Sequence, residues 1–154
     1  MDAIFDSFKQ HLEDAYNTVP LKYMEDVEEV LPKIRSQNIM VVLNTGYDKK
    51  TANQILSKIG AKQSMHYDLL ITASDVSRAR PFPDMILKAM ELLNINDAQQ
   101  VIKIGDSKID IEEGKNAGCK YSIGITTGAQ SREDLKEAQP DYIFDNIKEL
   151  YSII

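Results

Sequence analysis

Cysteine is nearly missing from these 154 residues: Cys119 stands alone, so no internal disulfide can form. That suits a reducing, cytoplasmic compartment. Cys119 follows Gly118 and precedes an apolar run, the setting of a small core residue rather than of a nucleophile, which would want a histidine and an electropositive pocket nearby. No apolar run comes near the roughly 18 residues of a membrane span. No signal peptide is visible either, because Met1 is followed by Asp2 and an amphipathic stretch. Basic charge is also short: 18 Lys and Arg against 24 Asp and Glu give a net charge of -6. A broad nucleic-acid surface is thereby disfavoured. A small anionic substrate is not, since a few local cations and a metal can hold a phosphate on an acidic protein. The two histidines, His11 and His66, read as surface or packing residues, because metals want several converging ligands.

What is present is an alternation. Ile4, Phe8, Leu12 and Ala15 recur at helical spacing over about 3–16, and Val27, Val30, Leu31 and Ile34 mark a second helix ending near Asn38. The apolar run Ile39–Leu43 suits a strand buried on both faces. A helix over about 48–59, a strand at Leu69–Thr72 and a polar loop over 73–82 follow. Pro83-Asp84 starts a helix running to about Leu93. Further strands are expected at Val101–Ile104, Tyr121–Ile125 and Tyr142–Phe144. Helices are expected over about 108–117 and 131–138, and from Ile147 to Ile154. Strands alternating with helices of about ten residues predict an α/β fold, a three-layer, Rossmann-like, doubly wound parallel sheet. Such sheets bind ligands beyond the carboxyl ends of their strands, and polar residues gather there: Thr45, Asp75 to Arg80, and Asp106.

Three segments could carry chemistry. In Gly105-Asp106-Ser107-Lys108-Ile109-Asp110, two carboxylates at a strand end could hold a hard cation such as Mg2+. Equally, Asp106 or Ser107 could cap the next helix, with Asp110 favouring its N-terminus. In Asn44-Thr45-Gly46-Tyr47, a hydroxyl and backbone N–H groups beside glycine could donate to a phosphate, or Thr45 or Asp48 could cap a helix. In Ser77-Arg78-Ala79-Arg80-Pro81-Phe82-Pro83-Asp84, a guanidinium suits a phosphoryl group, although a solvated loop would look the same. Tyr47 could line a pocket or pack on the following helix. Glu112 and Glu113 read as a solvated face, and Met85 and Met90 as core filler.

Taken together and in this order, the three segments resemble the haloacid dehalogenase (HAD)-like hydrolase superfamily. Thr45 matches its second motif, Arg80 the basic residue of its third, and Asp106 with Asp110 its acidic fourth. Asn44-Thr45-Gly46-Tyr47, Ala79-Arg80-Pro81-Phe82-Pro83 and the tail Ile125-Thr126-Thr127-Gly128 with Pro140-Asp141-Tyr142-Ile143 look most like its phosphonoacetaldehyde hydrolase (phosphonatase)-like branch. The resemblance covers about residues 22–154. It implies attack by an aspartate to form an aspartyl-phosphate on a small phosphorylated or phosphonate substrate, with Mg2+ as cofactor. It further implies that Thr45 and Gly46 hold phosphate oxygens and that Arg80 neutralises the nucleophile and phosphoryl group. Asp106 would bind Mg2+ directly or through water, and Asp110 would support the metal site from behind.

The chain departs from that pattern in one respect. No Asp-x-Asp occurs anywhere in it, whereas the family's first motif is Asp-x-Asp after an N-terminal strand. Residues 1–18 read as the remnant of a helical cap and 19–154 as the core, with the first strand missing. Three things could close the gap between the strands at 39–43 and 101–105: direct pairing, another chain, as in a homodimer completing the sheet, or a separate peptide. Without the nucleophile, the chain alone is expected to be inactive. The alternative is a non-catalytic phosphate- or partner-binding protein on the same scaffold.

Overall fold

The computed structural model describes residues 20–154, so the helix expected over 3–16, the cap remnant at 1–18 and His11 lie outside the described residues. Helix α1 (Val27–Ser36) buries Val30 and Ile34 at helical spacing, and its chain reverses through Asn38 in the left-handed region (φ 62). Strand β1 covers Val42–Thr45 and β2 Leu69–Thr72, with helix α2 (Lys49–Lys58) between them. Helix α3 (Asp84–Leu92), strand β3 (Ile102–Gly105), helix α4 (Lys108–Asn116) and strand β4 (Tyr121–Ile125) follow, then helix α5 (Arg132–Glu137) and strand β5 (Tyr142–Phe144). The closing segment Ile147–Ser152 is a 3-10 helix rather than the regular helix expected to Ile154.

All pairing is parallel, in the order β1-β2 and β3-β4-β5. Ile123, Phe144, Val30, Ile34 and Leu150 form one buried cluster, against which Val41, Ile102 and Ile104 pack, while Ile71, Met85 and Ala89 form a second with Val42 and Leu69 of β1 and β2. On the opposite face α4 and α5 bury Ile111 and Leu135 completely. The arrangement is the three-layer α/β core expected from the alternation of strands and helices.

Two further details differ from the sequence expectation. Strand β1 starts three residues later than Ile39. The Val41 amide donates to the Asp68 carboxylate at 2.8 Å rather than to a neighbouring strand, and Ile39 and Met40 lie exposed. The shift places Asn44 and Thr45 inside the strand. Direct pairing across the gap, one of three expected closures, is also not found: among the described residues β1 and β3 each keep one edge unpaired.

The lower end of β1 is held by Asp68, which accepts from Arg35 Nε at 3.0 Å and Nη2 at 2.5 Å. The Arg35 guanidinium keeps the Asp68 carboxyl below its ordinary 3.8, against some burial and with help from the Val41 amide. A depressed folded-state value means the stabilisation is present above the unfolded value and lost as pH falls through the folded one. Asp68→Asn is therefore expected to cost about 1.5–3 kcal/mol at pH 7 and to flatten the acid limb below about pH 5. Urea midpoints from pH 7 to 3 check this; an unchanged acid limb in the variant would contradict it.

Candidate active site at the carboxyl ends of β1 and β3

The Thr45 hydroxyl caps the turn after β1, accepting from the Tyr47 amide at 3.2 Å. Asp48, not Thr45, caps α2, accepting from Thr51 N at 2.9 Å. Thr45 is thus relieved of the helix-capping role that its sequence position also allowed. Tyr47, two residues after Thr45, is 39% exposed.

The two arginines of the polar loop part company. Arg78 is a surface clasp: it donates to both Asp84 oxygens, at 3.1 and 2.8 Å, and lies over the Phe82 ring. Arg80 turns inward. Its Nη1 donates to Asp110 Oδ1 at 2.5 Å. Its Nη2 lies so near the Gly46 α-carbon that a Cβ there would sit 2.9 Å away. Glycine at 46 therefore lets the guanidinium reach the turn after Thr45. The Asn116 side chain fixes the loop by donating to the Pro81 carbonyl at 2.8 Å.

The acidic segment is not a helix cap. Ser107 occupies the cap position of α4, but its hydroxyl donates to Asp110 Oδ2 at 2.5 Å. Gln130 takes the capping role, its side-chain oxygen accepting from Lys108 N at 2.8 Å. Asp110 lies in the first turn of α4 and is only 3% exposed. Burial pushes its carboxyl up, but Lys103, Ser107 and Arg80 outweigh that and hold it below the ordinary value. Asp106 is half-buried at the end of β3, and its Oδ2 accepts from the Ala129 amide at 2.8 Å. Gly128 makes room for it, since a side chain there would fall on the carboxylate.

These contacts decide what a divalent cation could use. Both Asp110 oxygens are taken, Oδ1 by Arg80 and Lys103 and Oδ2 by Ser107. Among the described residues the other Asp106 carboxylate oxygen accepts no hydrogen bond, and it is a hard donor of the kind Mg2+ would favour. Among the described residues no group of three His, Cys, Asp or Glu side chains converges to hold a metal.

Beneath the site lies a feature that the sequence reading missed. Lys103, on β3, is 7% exposed, and its ammonium is paired with Asp110 Oδ1 at 3.1 Å and Glu113 Oε2 at 2.8 Å. Glu113 has no exposed surface at all, so it is not part of a solvated face; Glu112 is. Asn44 Nδ2 reaches Glu113 from β1 at 3.0 and 3.2 Å. One buried cation, Lys103, and the partly exposed Arg80 thus balance two buried carboxylates. The signal was a lysine between Ile102 and Ile104 in a strand of a buried sheet, with Asp110 and Glu113 three residues apart on one helix face.

The remaining candidates have packing roles. His66 is buried, its Nδ1 accepting from Lys62 N at 3.0 Å, with its ring against Tyr23. Burial pushes the Cys119 thiol up to about 11, so it is inert near neutrality. Met85 and Met90 are core residues.

The profile described as "Haloacid dehalogenase-like hydrolase" matches residues 1–125, most of the chain. The chain belongs to this family. Several of the relatives it matches are phosphonoacetaldehyde hydrolases. The phosphonoacetaldehyde hydrolase of Latilactobacillus sakei is 30% identical over 178 positions, spanning 98% of this chain and 64% of that protein. That of Bacillus anthracis is 32% identical over 126 residues, 79% of this chain and 47% of the relative. A crystal structure of a phosphonoacetaldehyde hydrolase-like protein from Oleispira antarctica superposes with a TM-score of 0.73 and 28% identity, covering 84% of this chain and 54% of that one. The chain therefore spans less than two thirds of each of these HAD-like relatives. No helix among the described residues is long and apolar enough to cross a membrane.

Proposed function

We propose that this chain is the phosphate-handling core of a Mg2+-dependent phosphohydrolase acting on a small phosphate ester or phosphonate. The observation that carries the reading is the convergence of Arg80, Gly46 and Asp110 from three separate segments beside the turn that follows Thr45. In this reading the Thr45 hydroxyl, which accepts from the Tyr47 amide and keeps its own O–H, and the Gly46 N–H donate to phosphate oxygens. Arg80 neutralises the phosphoryl group and is held in place by Asp110. Asp106 would hold Mg2+, which supplies further neutralisation of the transferring group. The nucleophile is the unfilled role: Asp110 is committed to its donors, and no Asp-x-Asp is present in these residues. That lack supports a second reading, a non-catalytic protein that binds phosphate on the same scaffold. With residues 1–18 read as a cap remnant and 19–154 as the core, the open edges of β1 and β3 suit a strand from another chain, as in a homodimer. A single cysteine, which rules out an internal disulfide, suits the cytoplasm.

Two measurements test the proposal together. Inorganic phosphate with Mg2+ should bind the purified chain in a calorimetric titration, and Arg80→Ala should weaken it by about tenfold or more. Turnover of a generic phosphate ester should stay at background, because covalent catalysis needs the attacking group. No phosphate binding would sink the site assignment; robust turnover would sink the inactive-chain reading.

A further inference from the structure

Lys103 has no place in the chemistry assigned above, yet it touches the machinery from below. Its ammonium lies between Glu113 Oε2 at 2.8 Å and Asp110 Oδ1 at 3.1 Å. Asp110 Oδ1 is also the oxygen that receives Arg80 Nη1. One carboxylate oxygen therefore joins a cation beneath the site to the cation within it. Lys103 is itself fixed: Glu113 is anchored across the gap by Asn44, and Gly114 lets α4 approach β3 until the Lys103 Cβ would lie 2.8 Å from a side chain at that position. No water need enter, because the lysine and glutamate side chains are 8% and 0% exposed.

We propose that Lys103 is a positioning residue of the phosphate site: held by Glu113, it fixes Asp110 Oδ1 so that Arg80 is aimed at Gly46 and the turn after Thr45. Sharing that oxygen keeps Asp110 from pairing with Arg80 alone, which leaves the outer nitrogens of the guanidinium to a phosphate. Without Lys103, Asp110 has Arg80 as its one cation, and the guanidinium is drawn down onto it. The expected result is weaker anion binding with the fold intact. This inference rests on the phosphate-site reading, and its test separates the two.

The variant is Lys103→Met with Glu113→Gln, which removes one buried charge of each sign and so avoids stranding a carboxylate. Two properties of the full chain are read: inorganic phosphate affinity with Mg2+, and the Arg80 Nε–Hε resonance in a 15N spectrum. The double variant should unfold cooperatively, bind phosphate about tenfold more weakly than wild type, and show a displaced Arg80 resonance. Should it bind phosphate as wild type does with the resonance unmoved, Lys103 is only a counter-ion for Glu113 and the inference is overturned. Should wild type itself fail to bind phosphate while the resonance still moves, the positioning of Arg80 stands and the phosphate reading falls. Should the double variant not fold, Lys103→Arg gives the same reading: it keeps the charge but displaces the donor, so an unmoved Arg80 resonance and unchanged affinity would overturn the inference.

Discussion

Lys103→Met alone is expected to cost about 3–5 kcal/mol, a large share of the stability of a domain this size. The loss follows from what stays behind. Asp110 and Glu113 are 3% and 0% exposed and lose the one cation that touches both. Arg80 still serves Asp110, but Glu113 keeps only the Asn44 amide, which carries no charge. A buried carboxylate without a cation must be protonated or drag water into the core, and either route costs several kcal/mol. Arg78→Ala is the fitting control, since it also breaks an ion pair. Its side chain is 58% exposed and clasps Asp84 at the surface, where water screens the pair, so its loss should leave the stability close to wild type. Urea unfolding of the two variants checks the contrast. A loss below about 1 kcal/mol for Lys103→Met would show that the network relaxes around the missing charge. Adding Glu113→Gln to Lys103→Met should restore most of the loss, because the buried charges then balance again.

The core was legible because its signals are local. Gly60 and Gly118 close their helices with φ of +71° and +73°, and Asn38 ends α1 in the same left-handed region. The apolar runs at Leu69–Thr72 and Tyr121–Ile125 became strands with the expected bounds. The strand before Thr45 was displaced because its start is decided at long range: Asp68 captures the Val41 amide, and nothing near Ile39 in the sequence announces that. The closing segment reads as a regular helix because Ile147, Leu150 and Ile154 stand at α-helical spacing. Instead Asn146 caps a segment that is 3-10 over its whole length, Ile147–Ser152.

The site divides in the same way. Thr45, Arg80, Asp106 and Asp110 were picked out because side chains at strand ends in this order form a motif along the chain. Lys103 does not stand out, Glu113 reads as a solvated face and Asn44 only as the residue before Thr45, because the meaning of all three lies in mutual contact. Asn44 and Glu113 are 69 residues apart and meet only once β1 and α4 flank the same gap. Each of the three looks ordinary alone: a strand-end amide, a strand lysine, a helix glutamate. Burial turns them into a requirement, since charges taken out of water must find one another. A lysine inside an otherwise apolar parallel strand was the one clue available, and its partner had to be an acid on the helix that follows.

Gly105→Ala should damage both the fold and the site, and it shows how the two are joined. Gly105 ends β3, paired with Gly124, and its φ is not left-handed, so backbone freedom is not the constraint. Room is. A Cβ at 105 would fall on the Asp110 Cβ and carboxylate, which lie in the first turn of α4 and are already held by Arg80, Lys103 and Ser107. Overpacking of this kind costs about 1–3 kcal/mol. Either α4 must move away from β3, or Asp110 must leave its three donors. Both responses part Arg80 from its anchor, so phosphate affinity is expected to fall by more than about tenfold. Gly60→Ala offers the comparison. Gly60 has φ +71° with nothing within 4 Å of a Cβ, so alanine there meets strain but no neighbour. It should cost about 1–2 kcal/mol and leave phosphate binding and the Arg80 resonance as they were. Measured side by side, the two alanines distinguish loss of stability from loss of the site. If Gly105→Ala proved no worse than Gly60→Ala in phosphate affinity, the packing of Asp110 against the end of β3 would not be what aims Arg80.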